Sequence, residues 1–303
     1  MTPLDRAISI ALLHGIYPCQ VQELPWGKQN HAVRIADEKV DVVVRFAKDA
    51  GFVAETFDVE AWCLGAAAKA GIRISELVVR GHAYGTSYII LAYIPGSTAS
   101  ADDPKAWEAV GLAAGAAASI DLLEAPGALF SRFGRDLDAA WNAHLEYNLS
   151  MLAPSDPLMH LGVYEESDQI SLYEILSSLH GRQLKQGLVH GDLSTRNIIA
   201  GEGYTVIDWG AAHAGPAPWG DLAILYRWHV TDDKESPVSS TAWRRVLASA
   251  GIDRIYAEAV LAELVTLSTL DIVRWALDQC PERVDAIREN SARMIRTMLD
   301  RRS

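Results

Sequence analysis

Three oxygen-bearing side chains near the middle of the chain have the spacing needed for chemistry on a phosphate group. Residues 190–197 read His-Gly-Asp-Leu-Ser-Thr-Arg-Asn, and residues 206–210 read Val-Ile-Asp-Trp-Gly. Phosphoryl transfer needs a carboxylate near the attacking hydroxyl and oxygen ligands that hold Mg²⁺ against the phosphates. Asp192 suits the first role, and Asn197 and Asp208 suit the second. The pattern therefore predicts a catalytic carboxylate beside a magnesium site.

Short β-rich segments surround these residues and should position them. Residues 188–190, 198–199 and 205–208 have strand character, so the two motifs should lie at the ends of a short hairpin. Upstream, residues 19–46 read as three strands of an antiparallel meander. A first helix starts near Thr2 and Pro3, and a second covers residues 53–70 and stops at Gly71.

The chain changes character after residue 93. Strand-like residues 77–79 and 88–93 precede Pro95 and Gly96, and Asp103 followed by Pro104 then opens a helix. Helices dominate afterwards, and residues 241–302 read as successive amphipathic helices with charged faces. We expect the boundary between two structural units near Pro95 and Gly96.

The central motifs carry a family resemblance. Their spacing matches the kinase patterns H-x-D-x-x-x-x-N and D-x-G. With Gly220-Asp221-Leu222-Ala223 downstream, the sequence resembles the aminoglycoside phosphotransferase family, including its choline-kinase-like relatives. The resemblance implies an α+β, two-lobed, protein-kinase-like fold, with an N-terminal antiparallel-sheet lobe (1–93) and a larger, mainly helical C-terminal lobe (94–303). It also implies a phosphotransferase with an alcohol group as acceptor, using Mg²⁺ and either ATP or GTP.

The resemblance assigns nucleotide-binding residues to the N-terminal part. Gly27, Lys28 and Asn30 lie in a Gly-x-x-Asn segment that looks like the family's nucleotide loop. Arg45 ends a Val-Val-Val run and takes the place of the usual phosphate-contacting lysine; a guanidinium can grip phosphate oxygens in a bidentate fork. Glu60 on the following helix is the predicted partner of Arg45.

Several further roles follow from the same resemblance. Glu55 is the rival partner of Arg45, and the backbones of Ala92 and Ile94 should hydrogen-bond the adenine edge. His190 is predicted to hold the backbone of the loop rather than to act as a base. Asp221 is predicted to hold the catalytic loop and to cap a helix.

Charge and composition restrict the partners. The 303 residues carry a formal net charge of −12, which argues against a nucleic acid or an anionic membrane as partner. A cationic small molecule fits this charge better. Acidic residues of the C-terminal helices could form its pocket. They are Glu258, Glu263, Asp271, Asp278, Glu282 and Asp285.

The cysteines and the N-terminus favour the cytoplasm. Cys19, Cys63 and Cys280 are widely separated and odd in number, which indicates neither a disulfide framework nor a zinc site. The N-terminal apolar run lacks the basic residues and cleavage site of a signal peptide, and no stretch approaches the roughly 20 apolar residues of a membrane span.

The acceptor stays open at this level. The resemblance favours an aminoglycoside-type antibiotic, which would make the protein a resistance enzyme. The alternatives are a metabolic kinase for choline, homoserine, a sugar or an amino-sugar, and a pseudokinase that binds nucleotide without turnover. A choline kinase should show an aromatic cage, whereas an aminoglycoside site should show converging carboxylates. The oligomeric state is not predicted.

Overall fold

The computed structural model describes residues 1–24, 30–48, 55–231 and 237–302, apart from the side chains of Glu55 and Thr56. The strands are β1 (Gln20–Glu23), β2 (Asn30–Ala36), β3 (Asp41–Ala47), β4 (Leu77–Ala83), β5 (Thr86–Ala92), β6 (Ser97–Thr98), β7 (Gln186–Val189), β8 (Ile198–Ala200), β9 (Tyr204–Val206) and β10 (His213–Pro216). The helices are α1 (Pro3–Leu13), α2 (Glu55–Lys69), α3 (Pro104–Ala117), α4 (Leu137–Met151), α5 (Pro157–His160), α6 (Gln169–His180), α7 (Trp219–Thr231), α8 (Ser240–Ser249), α9 (Arg254–Gln279) and α10 (Val284–Asp300).

The N-terminal part is an antiparallel sheet with the strand order β1-β2-β3-β5-β4. Because successive side chains of a strand point to opposite faces, β3 divides its residues between two layers. Val44 and Phe46 belong to the apolar cluster that includes Ile10 of α1. Arg45 lies between them in sequence and points to the opposite face, where it contacts α2. The predicted meander is confirmed.

Local sequence signals explain the ends of the first two helices. Thr2 Oγ1 accepts a hydrogen bond from the Asp5 amide at 3.1 Å, and Asp5 Oδ2 accepts one from the Thr2 amide at 3.1 Å. This capping box satisfies amides that would lack partners at the start of α1. Gly71 follows α2 with a φ of +79°, a left-handed conformation in which glycine carries no steric penalty. Both predicted boundaries are confirmed.

The β4–β5 region differs from the sequence expectation. The predicted strands 77–79 and 88–93 extend to residues 83 and 86 on the sides that face each other in sequence. They form one hairpin in which Ala83 pairs with Thr86. The turn consists of Tyr84 and Gly85, with φ angles of +52° and +73°. Such a turn favours asparagine or aspartate before the glycine. Because tyrosine stands at this position, the sequence did not predict the hairpin.

The chain passes from the first sheet to a second one between residues 93 and 97. The Tyr93 amide still donates to Asp41 O at 2.9 Å, whereas β6 pairs with β8 in the sheet β6-β8-β9. Gly96 has a φ of +145°, and a Cβ there would lie 2.2 Å from Ala200 O. This change of partners supports our proposed lobe boundary at 93/94.

The C-terminal part is mainly helical and contains a buried ion pair. Asp156 Oδ2 accepts hydrogen bonds from Arg274 Nη2 and from the Tyr164 hydroxyl, each at 2.7 Å, and Oδ1 accepts one from the Leu158 amide at 2.9 Å. Arg274 also donates to Asn148 Oδ1. Burial, followed by the bond to Asp156, raises the pKa of the Tyr164 hydroxyl. The network ties α4, α5 and α9 together.

Within the described ranges, no helix combines the length and the apolar character that crossing a membrane requires.

Candidate active site

A hairpin brings the predicted catalytic residues to one end of the second sheet. The loop of residues 190–197 follows β7 and runs directly into β8, and Ile198 pairs with Val206 of β9. The Ile207 amide donates to Asn197 O at 3.0 Å. Asn197 therefore lies opposite the residue that precedes Asp208.

Asp192 and Asn197 are in direct contact. Asn197 Nδ2 donates to Asp192 Oδ2 at 2.9 Å and to the Asp192 carbonyl at 2.7 Å. The Asp192 side chain is 44% exposed, so a ligand can reach it. We call the space bordered by Asp192, Asp208 and Arg45 the cleft. Because the amide nitrogen of Asn197 faces Asp192, its Oδ1 atom points away from this carboxylate.

Asp221 anchors the loop from beneath. This fully buried residue in the first turn of α7 accepts hydrogen bonds from the His190 amide at 3.0 Å and from the Gly191 amide at 2.9 Å. Burial raises the pKa of Asp221, and the neighbouring His190 opposes that rise. The predicted role of Asp221 in holding the loop is confirmed.

His190 is part of the same support. Its ring is buried, its Nε2 lies 3.1 Å from Ile207 O, and its Nδ1 lies 3.3 Å from the Asp192 amide. The ring also contacts Trp209, with centroids 4.6 Å apart. Since both ring nitrogens are engaged by backbone groups, His190 is not available as a general base, as the sequence reading predicted.

Gly191 allows the loop to pass close to the segment after Asp208. Its φ is +82°, and a Cβ at this position would lie 2.2 Å from Ala211 O. Any other residue would combine a strained backbone with a collision against a carbonyl. The glycine of the His-Gly-Asp motif is thus required by the packing of two backbone segments.

Asp208 has an unusual backbone conformation for a residue with a side chain. Its φ and ψ are +64° and +63°, in the left-handed region, where aspartate is enriched among the few residues that enter it. The side chain is 49% exposed, and its Oδ1 accepts a hydrogen bond from Arg45 Nη2 at 2.9 Å. Strained backbone of this kind is concentrated at functional sites.

Arg45 bridges two carboxylates. Its Nη1 donates to Glu60 Oε1, and its Nη2 donates to Asp208. Burial disfavours the charge of Arg45, but the carboxylates of Glu60 and Asp208 outweigh this effect and raise the pKa of the guanidinium. Burial raises the pKa of Glu60, against the opposing effect of Arg45. The structure thus joins the predicted Arg45–Glu60 pair to the predicted metal ligand.

The structure describes only some of the remaining residues that were predicted to contact the nucleotide. Gly27 and Lys28 lie outside the described residues, as does the side chain of the rival partner Glu55. Asn30 begins β2, and its buried Oδ1 receives no hydrogen bond from the part of the chain that the structure describes. Their roles in nucleotide binding stay predictions.

Of the two residues predicted to contact the adenine, Ala92 already uses its backbone groups in other hydrogen bonds. The Ala92 amide donates to Glu76 O at 2.8 Å, and the Ala92 carbonyl accepts from Ser75 Oγ at 2.6 Å. The Ile94 amide has no backbone partner among the described residues. We therefore expect Ile94 to be the stronger of the two candidates, because its amide is not already bonded.

The donor set suits Mg²⁺ better than a transition metal. Among the described residues, no group of three or more His, Cys, Asp or Glu side chains could hold a metal ion. Asn197 and Asp208 offer an amide oxygen and a carboxylate, which are hard oxygen ligands. Mg²⁺ is commonly held by one or two such side chains, with phosphates and waters completing its shell. The residues present fit this ion.

Comparisons with known proteins identify the family. The sequence model of the phosphotransferase enzyme family matches residues 20–263. This chain belongs to the phosphotransferase enzyme family. The predicted family resemblance and the enzyme class, a phosphotransferase, are confirmed. None of the curated proteins matches the sequence.

Solved structures similar to this phosphotransferase extend over almost the whole chain. APH(2")-IIia, solved with GDP and kanamycin, is 16% identical with a TM-score of 0.64, covering 98% of both chains. A thermostable mutant of aminoglycoside phosphotransferase APH(4)-Ia, solved with AMP-PNP and hygromycin B, is 16% identical with a TM-score of 0.62, covering 96% of this chain and 98% of that one. A putative fructosamine-3-kinase from Haemophilus somnus 129PT is 15% identical with a TM-score of 0.60, covering 97% and 96%. The predicted protein-kinase-like α+β fold of the phosphotransferase is confirmed.

Sequence reasoning missed one charged residue of the cleft. Arg196 lies in the catalytic loop, and its Nη2 is 3.5 Å from Asp192 Oδ1. Its guanidinium carbon also lies 5.0 Å from the centroid of the Trp228 ring. The signal was the position of Arg196 inside the same loop, four residues after Asp192.

The acidic residues proposed for a cationic pocket are mostly paired with bases. Glu263 accepts two hydrogen bonds from Arg182, and Asp271 contacts His144 Nε2 at 2.7 Å. Two more residues of the set form exposed ion pairs within their own helices. These pairs are Glu258 with Arg254 and Asp285 with Arg288. Four of the six carboxylates thus already contact a basic side chain.

Proposed function

We propose that this phosphotransferase transfers the γ-phosphoryl group of ATP or GTP to a hydroxyl of a small molecule, with an aminoglycoside-type antibiotic as the first candidate acceptor. The observation that supports it most directly is the contact between Asp192 and Asn197, with Asp208 beside them on the same hairpin. Two of the similar structures contain kanamycin or hygromycin B together with a nucleotide, which supports this choice of acceptor.

In the proposed mechanism, each residue of the cleft has one role in phosphoryl transfer. Asp192 orients the acceptor hydroxyl, whose oxygen attacks the γ-phosphorus while the bond to the bridging β–γ oxygen breaks. The hydroxyl proton passes late to the Asp192 carboxylate, and ADP or GDP leaves; an ordinary carboxylate suffices because the transition state is loose. Arg45 neutralises phosphate charge, and Asn197 and Asp208 would hold Mg²⁺. When bound, Mg²⁺ supplies charge neutralisation across the phosphate oxygens.

The pairing of the acidic residues favours a second candidate acceptor. A polycation should meet several free carboxylates, yet Glu258, Glu263, Asp271 and Asp285 each contact a basic side chain. A neutral or singly charged metabolite, such as a sugar or amino-sugar, needs no such pocket. An aromatic cage for choline has less support, because Trp209, Trp219 and Trp228 are buried in the core and the 41% exposed Trp275 already lies against Arg283.

A nucleotide-release assay tests the proposal. Purified protein with Mg²⁺ and ATP or GTP is incubated with aminoglycosides, other antibiotics, sugars, amino-sugars, homoserine and choline, and ADP or GDP release is measured. We expect acceptor-dependent release that falls about 10²- to 10⁴-fold in Asp192→Ala, because that change removes the base. Glu124→Ala, at an exposed carboxylate that belongs to no predicted site, is the matched control.

Two results would contradict the proposal. Nucleotide binding without release for any acceptor would favour the pseudokinase. Release that persists in Asp192→Ala would exclude this carboxylate as the base.

A further inference from the structure

Arg196 is placed beside the proposed base without an evident structural purpose. Its Nη2 lies 3.5 Å from Asp192 Oδ1, and the two side chains are 47% and 44% exposed. Exposed ion pairs of this length contribute little to stability because solvent screens them. The contribution of this pair to folding stability is therefore small.

The ring of Trp228 supports the guanidinium. Trp228 is buried in α7, the same helix whose first turn carries Asp221, and Arg196 lies 5.0 Å above its ring centroid. Stacking on an aromatic face restricts the guanidinium while leaving its N–H groups available. Arginine has five such donors, and among the described residues only Asp192 accepts a hydrogen bond from them. Within the described part of the chain, Arg196 is therefore positioned by Trp228 and Asp192 with most of its donors unused.

The two arginines of the site differ in their position and in their partners. Arg45 is committed to Glu60 and Asp208, on the side predicted to hold the nucleotide phosphates. The phosphoryl group in transfer carries negative charge on three equatorial oxygens. Since Asp192 is proposed to receive the acceptor hydroxyl, a donor beside its Oδ1 lies where the acceptor meets the γ-phosphoryl group.

We infer that Arg196 binds the γ-phosphoryl group of the nucleotide and is a further catalytic residue of the reaction proposed above, on which this inference rests. When the nucleotide binds, the guanidinium exchanges its weak contact with Asp192 for the γ-phosphoryl oxygens. The exchange frees Asp192 Oδ1 for the acceptor hydroxyl. Arg196 then neutralises charge on the acceptor side, and Arg45 does so on the opposite side.

Binding of nucleotides with and without the γ-phosphate tests this role without any acceptor. The dissociation constants of ADP and of the non-hydrolysable analogue AMP-PNP, or of GDP and GMP-PNP, are measured by calorimetry in Mg²⁺ for the wild type, Arg196→Met and Arg196→Lys. The quantity of interest is the ratio of the diphosphate constant to the triphosphate constant. Arg254→Met is the matched control, because Arg254 also forms an exposed pair four residues away, with Glu258.

We expect Arg196→Met to lower this ratio about 10- to 100-fold, as for the loss of a charge-assisted hydrogen bond. The diphosphate constant should stay unchanged, Arg196→Lys should recover part of the ratio, and Arg254→Met should equal the wild type. An unchanged ratio in Arg196→Met would overturn the inference and leave the proposed function intact. Failure of the wild type to bind any of these nucleotides would overturn both.

Discussion

Two groups of charged residues in this protein differ in how fully their hydrogen-bonding capacity is used. In the helical part, both oxygens of the buried Asp156 are occupied, by Arg274, Tyr164 and the Leu158 amide. In the cleft, Asp192 and Asp208 are about half exposed, and among the described residues each forms an ion pair with one arginine. The Asp156 carboxylate is satisfied by the protein itself, whereas Asp192 and Asp208 retain capacity for ligands.

The difference indicates which charges serve folding and which serve chemistry. A buried carboxylate without partners is costly, so the fold must satisfy it internally. A half-exposed carboxylate is satisfied by water until a ligand replaces that water. Substitutions in the two groups should therefore affect different measured quantities.

The largest expected effect on stability is that of Asp156→Ala. Removing this carboxylate leaves Arg274 buried without its charge partner and deprives the Tyr164 hydroxyl of its acceptor. We expect the free energy of unfolding to fall by about 3–5 kcal/mol, measured by urea denaturation. Asp285→Ala should leave it unchanged within error. A similar loss in Asp192→Asn would remove the distinction between the two groups.

A smaller loss is expected for Asp221→Ala. Two buried backbone amides, those of His190 and Gly191, would lose their acceptor, which should cost about 2–4 kcal/mol of the free energy of unfolding. The same denaturation experiment measures it. A loss below about 1 kcal/mol would mean that other groups can satisfy these amides and that Asp221 does not anchor the loop.

The smallest effect is expected for Asp192→Asn. Asn197 would still donate to the Asp192 backbone carbonyl, and the substituted side chain is half exposed, so the free energy of unfolding should change by no more than about 0.5 kcal/mol. Thermal and urea unfolding of the same preparation used for activity would measure it. A loss approaching that of Asp221→Ala would place Asp192 among the residues that serve folding.

Local sequence signals were sufficient for most elements of the fold. The capping box at Thr2 and Asp5, the β-branched run of β3 and the N-cap Asp103 of α3 all act within a few residues, and each element forms where it was predicted. The Tyr84–Gly85 turn was not predicted, because its side chains are not those that usually stabilise such a turn.

The site was less predictable, since its decisive contacts join distant parts of the chain. The catalytic loop was recognisable because Asp192 and Asn197 are five residues apart. The bond from Arg45 to Asp208 spans 163 residues, and no local pattern encodes it. The stacking of Arg196 on Trp228 and the pairing of Glu263 with Arg182 depend on helix packing, so charge counts alone suggested freer carboxylates than the fold contains.

The contact between Gly191 and Ala211 limits how this protein can evolve or be redesigned. The catalytic loop and the segment after Asp208 meet there, so the spacing between Asp192 and Asp208 is restricted by main-chain atoms rather than by adjustable side chains. A new acceptor preference therefore has to arise from the surrounding helices. Libraries that vary those helices and leave residues 190–211 untouched should retain the reaction while changing what it modifies.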